Sequence, residues 1–145
     1  MLRLERQIWV EWGDCDPARI VFYPRYFAWF DASTHLMLED AGIGHDVLRE
    51  QYGVRGCVLG AVEASFSSPG FYADRLSLHA QVVRVGGASF SVQHTISRGA
   101  EQLLSGQETR IWAVEDATRP AGIRAERIPD TVRALLNGQI GSGEA

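Results

Sequence analysis

The chain has 145 residues, of which 46% are hydrophobic and 22% charged, and its formal net charge at pH 7 is −4. This length and composition predict a single globular domain. The acidic balance argues against nucleic acid or an anionic membrane surface as the main partner, although a local basic patch could still hold an anionic group. No apolar run approaches the roughly 20 residues that span a bilayer.

The cysteine content and the N-terminus indicate the cellular setting. The two cysteines, Cys15 and Cys57, are too few for a disulfide framework and too far apart for a CxxC metal site. The first residues lack the apolar stretch of a signal peptide. We therefore expect a cytoplasmic protein.

An alternating pattern opens the chain. In residues 7–12, Ile8, Val10 and Trp12 fall on one face and Trp9 falls on the other with its polar neighbours. A period of two residues is that of a β-strand with one buried face. We therefore predict a strand over residues 7–12.

A long helix is predicted over residues 24–41. Pro24 suits the first position of a helix, and Gly42 suits its end. Apolar side chains fall on most sides of this segment, which is typical of a helix that is buried. Asp31 is the unusual residue in its middle.

The second half of the chain is rich in β-forming residues. Gly86-Gly87 and the turn at Gly99 are hairpin signals. The predicted elements are a helix over residues 45–51, strands over residues 54–66, 76–85, 89–98 and 102–114, and a closing helix over residues 130–136. The domain is predicted to end at residue 137, and the polar, glycine-rich residues 138–145 are predicted to form a flexible tail.

The order of these elements predicts an α+β fold, in which an antiparallel sheet of about five strands wraps around one long helix. The sheet can cover the helix on one side only, and its edge strands stay open to other chains. We therefore expect self-association.

The segment between the first strand and the helix is the most informative part of the chain. It makes an acidic turn at Asp14-Cys15-Asp16-Pro17 and reaches the helix at Pro24. A helix N-terminus offers unpaired backbone N–H groups and a partial positive charge, which together bind anions. A carboxylate such as Asp16 and an adjacent oxyanion site are the two groups that the cleavage of an activated acyl group requires.

Two questions about this segment stay open at the level of sequence. Because Pro24 has no N–H, the donors near the helix start are the backbone N–H groups of Tyr23, Arg25 and Tyr26. Asp16 could attack the acyl carbon directly or activate a water molecule. The alternative interpretation of Asp16 is a turn residue, since Asp-Pro is a common turn dipeptide.

Other polar residues carry weaker signals. Asp14 is interpreted as a loop-structuring residue and Glu63 as an outward-facing charge on a strand. Asp31 is either a buried carboxylate satisfied by internal hydrogen bonds or a substrate contact. The four histidines lack metal-ligand spacing, so we interpret them as structural and expect no metal site. Cys15 is interpreted as a small packing residue, because no histidine near it in sequence could activate it.

Three stretches together resemble a known family. They are residues 13–23 with their Gly-Asp-Cys-Asp-Pro-Ala motif, Trp29-Phe30-Asp31-Ala32, and Ser89-Phe90-Ser91-Val92-Gln93-His94. They resemble the hotdog-fold acyl-CoA thioesterases, and within these the 4-hydroxybenzoyl-CoA thioesterase branch. The resemblance implies a sheet wrapped around the central helix, and a homodimer or homotetramer with active sites at the dimer interface.

The resemblance also implies roles for three residues. The family's catalytic aspartate falls on Asp16, and its oxyanion donor, a backbone N–H at the helix start, falls on Tyr23. The helix aspartate that lies near the ring hydroxyl in the hydroxybenzoyl branch falls on Asp31.

Two positions depart from the family's pattern. Arg19 stands where the family has a glycine. Gly86-Gly87-Ala88 stands where the hydroxybenzoyl enzyme has a basic cluster that is taken to grip the phosphates of coenzyme A, and Arg84 is the nearest remaining basic residue. We therefore expect Arg84 and Arg19 to be the first candidates for phosphate contacts.

The combined interpretation is an acyl-CoA thioesterase that hydrolyses an aryl-CoA or a short acyl-CoA to free acid and coenzyme A, without a cofactor or metal. One alternative is a hydratase or dehydratase of the same fold. Those enzymes generally pair a histidine with an acidic residue, and residues 13–24 contain no histidine. The other alternative is a non-catalytic acyl-CoA-binding module, which would bind its ligand without turnover.

Overall fold

The structure, a computed structural model, describes residues 1–139. Its elements in chain order are β1 (Arg3–Trp9), α1 (Pro24–Asp40), α2 (His45–Tyr52), β2 (Val54–Phe66), β3 (Arg75–Val85), β4 (Ser89–Arg98), β5 (Glu101–Glu115), β6 (Ile123–Ala125) and α3 (Asp130–Leu136). The strands form one antiparallel sheet in the order β1-β3-β4-β5-β2, and the short β6 pairs with β5. The predicted α+β architecture is confirmed, with one short strand beyond the five expected.

β1 begins earlier than the alternating pattern predicts. It starts at Arg3, and the pattern does not show this start because the charged Arg6 occupies an inward position of the strand. Arg6 Nε donates to Ser33 Oγ at 2.8 Å, and its Nη2 donates to Trp29 O at 3.3 Å. These bonds to α1 satisfy the guanidinium where a period of two predicts an apolar side chain.

β1 also ends earlier than predicted, at Trp9. The chain turns away at a 3₁₀ turn over Trp12–Asp14, and Trp12 is 68% exposed. The expectation that Trp12 continues the strand is therefore wrong, since the chain leaves the sheet before that residue.

α1 packs against the sheet with one side only. Phe30 lies directly over Gly106 of β5, where an added Cβ would come within 2.6 Å of the Phe30 ring. The ring of Phe30 also stacks on His94 of β4, with centroids 4.4 Å apart. A residue without a side chain at position 106 lets the helix approach the sheet this closely. The buried residues of α1 are Tyr26, Phe30, Ser33, Thr34, Met37 and Leu38.

The opposite side of α1 is open. Ala28, Asp31 and Ala32 are exposed there, and Leu36 is 46% exposed. The expectation that the helix is buried on most sides is wrong for the single chain, because one sheet covers one side of a helix. No helix within residues 1–139 has both the length and the apolar sequence needed to cross a bilayer.

The two ends of the sheet are β1 and β2. The 13 residues of β2 pair with β5 on one side, and within residues 1–139 no strand pairs with the other side. An open strand edge of this kind can pair with another chain. Of the tail predicted for residues 138–145, residues 140–145 lie outside the described part of the chain.

Candidate active site

The loop between β1 and α1 folds back on itself as a small hairpin. At its base, Asp16 N–H donates to Ile20 O at 3.0 Å, and at its tip Arg19 N–H donates to Asp16 O at 2.8 Å. Asp16 Oδ1 accepts a hydrogen bond from Ala18 N–H at 2.8 Å, which is the turn-forming role expected of an Asp-Pro pair. Within residues 1–139 no group donates to Asp16 Oδ2. The side chain therefore forms the turn and keeps one oxygen free.

The backbone conformation of Arg19 shows why a glycine would suit the tip of this hairpin. Its φ of 67° lies in the left-handed region, where the side chain of an L-residue costs about 1–2 kcal/mol. A turn followed by a left-handed residue returns the chain in register with the outgoing strand. The Arg19 side chain is exposed, and in the described chain its guanidinium makes no hydrogen bond or ion pair.

Asp14 and Cys15 hold the loop together. Asp14 Oδ2 accepts a hydrogen bond from Glu11 N–H at 2.8 Å, and Asp14 Oδ1 lies 3.9 Å from Arg25 Nε. The prediction that Asp14 structures the loop is confirmed. Burial, followed by neighbouring carboxylates that include Asp14 and Asp16, raises the pKa of the Cys15 thiol. A thiol that stays protonated is a poor nucleophile, which agrees with a packing role.

The start of α1 leaves one of the three predicted donors available. Arg25 N–H donates to Phe22 O at 2.8 Å, and Tyr26 N–H donates to Tyr23 O at 3.1 Å. Tyr23 N–H has no acceptor within residues 1–139. This N–H lies at the cap position of the helix, where the backbone dipoles favour negative charge.

An apolar groove lies beside Tyr23. It has a volume of about 340 Å³, and its lining includes Ile20, Tyr23, Tyr26 and Phe66. Tyr26 Oη accepts a hydrogen bond from Gly70 N–H at 2.9 Å, so this hydroxyl is satisfied within the protein. The volume falls within the range of small-molecule sites and suits an aromatic ring or a short acyl chain.

Asp31 lies on the open side of α1 and not in the core. Its side chain is 56% exposed, and Arg110 Nη2 donates to its Oδ1 at 2.7 Å. His35 Nε2 lies 3.3 Å from the same oxygen. Of the two interpretations of Asp31, the buried carboxylate is wrong on burial, because the side chain is exposed, although Arg110 does supply an internal hydrogen bond. The substrate contact stays a prediction. The helical rise between residues 23 and 31 separates Asp31 from Tyr23 by about 12 Å.

Arg110 belongs to a buried polar cluster, which we define as Thr34, His94, Glu108 and Arg110. Thr34 Oγ1 donates to Glu108 Oε1 at 2.5 Å, His94 Nε2 lies 2.8 Å from the same oxygen, and Arg110 donates to Glu108 Oε2. Burial alone would raise the pKa of Glu108, but the bonds from His94 and Thr34 and the charge of Arg110 outweigh it and hold that pKa below its usual value.

Glu108 and Arg110 are not among the predicted site residues, although the sequence carries a signal for them. Both share the inward face of β5 with Leu104, Gly106 and Trp112, and these five residues follow one another at intervals of two positions. Charged residues at core positions of an alternating strand indicate a buried pair. His94 was interpreted as structural, and its place in the cluster agrees with that interpretation.

Arg84 lies apart from the loop, at the hairpin between β3 and β4. It donates to Ser89 Oγ at 3.1 Å and to Ser91 Oγ at 3.2 Å. Arg133 of α3 donates to Gly86 O, so a second guanidinium that the sequence did not indicate lies at the same hairpin. Within residues 1–139, no hydrogen bond or ion pair joins Arg84 to the loop.

The histidines do not supply an acid or base to the loop. His79 lies 3.5 Å from Glu5, His94 is buried in the polar cluster, and the rings of His35 and His45 meet edge to face with centroids 6.2 Å apart. In the described chain, no three His, Cys, Asp or Glu side chains are grouped as a metal site would need. A histidine-dependent reaction at the loop therefore finds no support in the geometry.

Comparison with known proteins identifies the family. Residues 10–136 match the model of the thioesterase-like superfamily. A 4-hydroxybenzoyl-CoA thioesterase from Pseudomonas sp. (strain CBS-3) is 32% identical over 127 residues, which cover 83% of this chain and 87% of that protein. The chain therefore belongs to the thioesterase-like superfamily.

Solved structures agree with this assignment. A 4-hydroxybenzoyl-CoA thioesterase, crystallised as an aspartate-to-asparagine mutant with 4-hydroxybenzoyl-CoA, matches with a TM-score of 0.84 and 28% identity over 94% of this chain and 99% of that chain. A gentisyl-coenzyme A thioesterase matches with a TM-score of 0.78 and 27% identity over 90% of this chain and 99% of that chain. The fold is a hotdog fold, and the chain is a thioester hydrolase.

Proposed function

We propose that this chain hydrolyses an aryl-CoA thioester of the hydroxybenzoyl type, or a short acyl-CoA, to the free acid and coenzyme A. One observation carries the proposal. The Tyr23 N–H, which has no acceptor within residues 1–139, lies at the start of α1 beside an apolar groove, and the adjoining loop carries Asp16 with one unused oxygen. A donor for an oxyanion, a pocket for the acyl group and a carboxylate are the parts that thioester hydrolysis requires.

In the proposed reaction, the thioester carbonyl oxygen accepts a hydrogen bond from Tyr23 N–H. The bond strengthens as negative charge develops on that oxygen, and one donor of this kind is worth about 2.7–4 kcal/mol in comparable oxyanion sites. The coenzyme A thiolate is a good leaving group and needs little acid assistance. One carboxylate therefore suffices for the rest of the chemistry.

Asp16 has two possible roles in this reaction. As a nucleophile, its free oxygen attacks the acyl carbon, coenzyme A leaves as the thiolate, and water then hydrolyses the mixed anhydride. As a general base, it takes a proton from a water molecule that attacks the acyl carbon, and the tetrahedral intermediate expels the same thiolate. Both routes yield one carboxylic acid and one coenzyme A, and both need the ionised carboxylate.

The acyl group is proposed from the relatives and from Asp31. The relatives reported above are named for 4-hydroxybenzoyl-CoA and gentisyl-CoA, whose rings carry hydroxyl groups. Asp31 Oδ1 is occupied by Arg110, whereas Oδ2 accepts no hydrogen bond within residues 1–139. A ring hydroxyl would supply the missing donor.

The position of Asp31 supports a site completed by a second copy of the chain. Asp31 lies about 12 Å along α1 from Tyr23 and is exposed on the side of the helix that the sheet does not cover, so a second copy can cover it. The open edge of β2 and the 51% exposed Phe66 at its end provide a surface for pairing. We therefore propose a homodimer or homotetramer in which Asp31 of one copy faces the groove of another.

For the nucleotide part of coenzyme A, Arg84 and Arg19 remain the proposed phosphate contacts. Both side chains are exposed, and the guanidinium of Arg19 is unpaired in the described chain. Exposed charge contacts of this kind contribute modestly to binding. A cytoplasmic setting also stays a prediction, in keeping with the free thiols of Cys15 and Cys57.

The test is a thiol-release assay with purified protein over a panel of 4-hydroxybenzoyl-CoA, benzoyl-CoA and straight-chain acyl-CoA thioesters. We expect stoichiometric release of thiol and free acid, with the highest kcat/KM on the hydroxylated ring. Asp16→Asn serves as the inactive control on every substrate. Each release curve is checked against the ultraviolet loss of the thioester.

The two alternatives give different results in the same assay. A hydratase or dehydratase would change an unsaturated or hydroxylated acyl-CoA without releasing thiol. A binding module would bind the panel by calorimetry and turn over none of it, and its affinity would not depend on Asp16. Either result would contradict the proposed function.

A further inference from the structure

The buried polar cluster ends at an exposed carboxylate, and this connection is the basis of the inference. Arg110 is 3% exposed, whereas the Asp31 side chain that it meets is 56% exposed. A guanidinium rarely lies buried unless its charge is paired, because removing it from water is costly. Here Arg110 uses one terminal nitrogen for both Glu108 and Asp31 and donates from the other to Cys57 O at 3.2 Å. Its Nε is buried and has no partner within residues 1–139, so the two terminal nitrogens make all of its hydrogen bonds there.

The rest of the cluster fixes where Arg110 can lie. Glu108 is held by Thr34 and His94 on its Oε1, and its Oε2 faces Arg110. Glu108 and Arg110 are both almost fully buried, so neither side chain can move without leaving a charge unpaired. The core therefore presents Arg110 Nη2 to the open side of α1 at a fixed position.

The polar groups around Asp31 are distributed unevenly between its two oxygens. Arg110 Nη2 lies 2.7 Å and His35 Nε2 lies 3.3 Å from Oδ1. Within residues 1–139 no donor meets Oδ2. An exposed aspartate without such an anchor would sample several rotamers in water, and a hydrogen bond to a ligand would then have to immobilise it.

We propose that Arg110 is a positioning residue for substrate selection: it holds Asp31 Oδ1, so that Oδ2 stays aimed at the hydroxyl of an aryl substrate. This inference rests on the proposed function, because it assumes that Asp31 meets the ring. Arg110 itself touches neither the ring nor the thioester. Its effect passes through Asp31 and appears in the discrimination between rings with and without a hydroxyl.

A purely structural Arg110 makes a different prediction. If the arginine only neutralises Glu108, its replacement changes stability and affects all substrates alike. If it positions Asp31, its replacement lowers kcat/KM on 4-hydroxybenzoyl-CoA and spares benzoyl-CoA. The ratio of the two kcat/KM values is therefore the quantity to measure, since general damage to the protein cancels in it.

The main variant is Glu108→Gln/Arg110→Gln, which removes both buried charges together and avoids leaving one of them unpaired. A second variant, Asp31→Glu, keeps the carboxylate at an exposed position, where folding is not at risk, but displaces it by one methylene from Arg110. Thr34→Val is the matched control, because Glu108 Oε1 keeps its contact with His94 Nε2 and Glu108 Oε2 keeps its bond from Arg110, so the contact between Arg110 and Asp31 stays in place. Circular dichroism and thermal unfolding establish that each variant is folded.

We expect the ratio of kcat/KM on 4-hydroxybenzoyl-CoA to kcat/KM on benzoyl-CoA to be about tenfold or more lower in both test variants than in the wild type. In Thr34→Val the ratio should stay within about threefold of the wild-type value. Adding Asp31→Asn to the double variant should lower the ratio no further, since the two changes act on one contact. If the ratio in Asp31→Glu, or in a folded double variant, equals that of the wild type, the positioning role is overturned and the proposed function stays intact. A wild-type enzyme that hydrolyses both aryl substrates equally, or neither, overturns the proposed aryl preference and this inference with it.

Discussion

Replacing Asp16 with asparagine removes one negative charge from the loop without removing its turn. Asparagine keeps an oxygen that can accept the bond from Ala18 N–H, which is 2.8 Å long in the structure. We therefore expect the free energy of unfolding to change by less than about 0.5 kcal/mol. The variant has neither a nucleophilic carboxylate nor a base. Its kcat should fall by about 10²–10⁴, an increase in the activation barrier of about 2.7–5.4 kcal/mol, with KM little changed.

The measurement is saturation kinetics of thiol release from 4-hydroxybenzoyl-CoA, together with urea unfolding of each variant. Asp14→Asn is the matched control, because Asp14 lies in the same loop and its carboxylate also accepts a backbone N–H, from Glu11 at 2.8 Å. Its kcat should stay within about threefold of the wild type. A folded Asp16→Asn variant with near-normal kcat would refute the catalytic assignment, and an equal loss in Asp14→Asn would show that the charge of the loop matters rather than Asp16.

The remaining predictions concern the oxyanion donor, the arginines, the ring contact and the assembly. Tyr23→Pro removes the backbone N–H at a φ of −53° that proline tolerates, and kcat should fall by about 10²–10³, whereas Tyr23→Ala keeps the N–H and most of kcat. Arg19→Gly relieves the positive φ of 67° and should raise the free energy of unfolding by about 0.5–1 kcal/mol; a loss of stability would contradict the strain. Arg84→Ala and Arg19→Ala should each raise KM by less than about fivefold and spare kcat, and rising salt should mimic the effect. An unchanged KM and salt dependence in both variants and in their combination would remove these arginines from the nucleotide site. Asp31→Asn should lower kcat/KM on 4-hydroxybenzoyl-CoA by about 10- to 150-fold and spare benzoyl-CoA, and an equal effect on both substrates would make Asp31 structural. Light scattering at micromolar concentration should show a dimer or tetramer, and a fully active monomer would contradict the composite site.

The sheet could be predicted well from the sequence because its signals are local. Long alternating runs ended by turn residues predict β2 and β4 with the bounds that the structure has. The bounds predicted for the helix α3 also agree with the structure. β1 was displaced, because the inward Arg6 breaks the alternation and its partners lie on α1, far along the chain. β6 was missed, since three residues are too few to show a period.

The loop of the candidate site could also be predicted, but the choice among its donors could not. The Asp-Pro turn and the helix start are local features of the sequence. Which N–H remains unpaired depends on which carbonyls come within reach after folding: Phe22 O takes Arg25 N–H, and Tyr23 O takes Tyr26 N–H. That information exists only in three dimensions.

The surroundings of Asp31 show a second limit of the sequence. An apolar pattern on most sides of α1 predicts burial, yet it cannot say whether the cover comes from the same chain or from another. The partner of Asp31 is Arg110, 79 residues away, and no spacing rule connects the two. The inward register of β5 would have placed Glu108 and Arg110 in the core, but not their contact with the open side of the helix.

The most direct test of the account is a crystal structure of the Asp16→Asn variant with unhydrolysed 4-hydroxybenzoyl-CoA. We expect the thioester oxygen about 2.7–3.1 Å from Tyr23 N, the ring in the groove lined by Tyr26 and Phe66, and the ring hydroxyl bonded to Asp31 of a second copy. A thioester bound away from Tyr23, or a ring hydroxyl that meets only solvent, would contradict it.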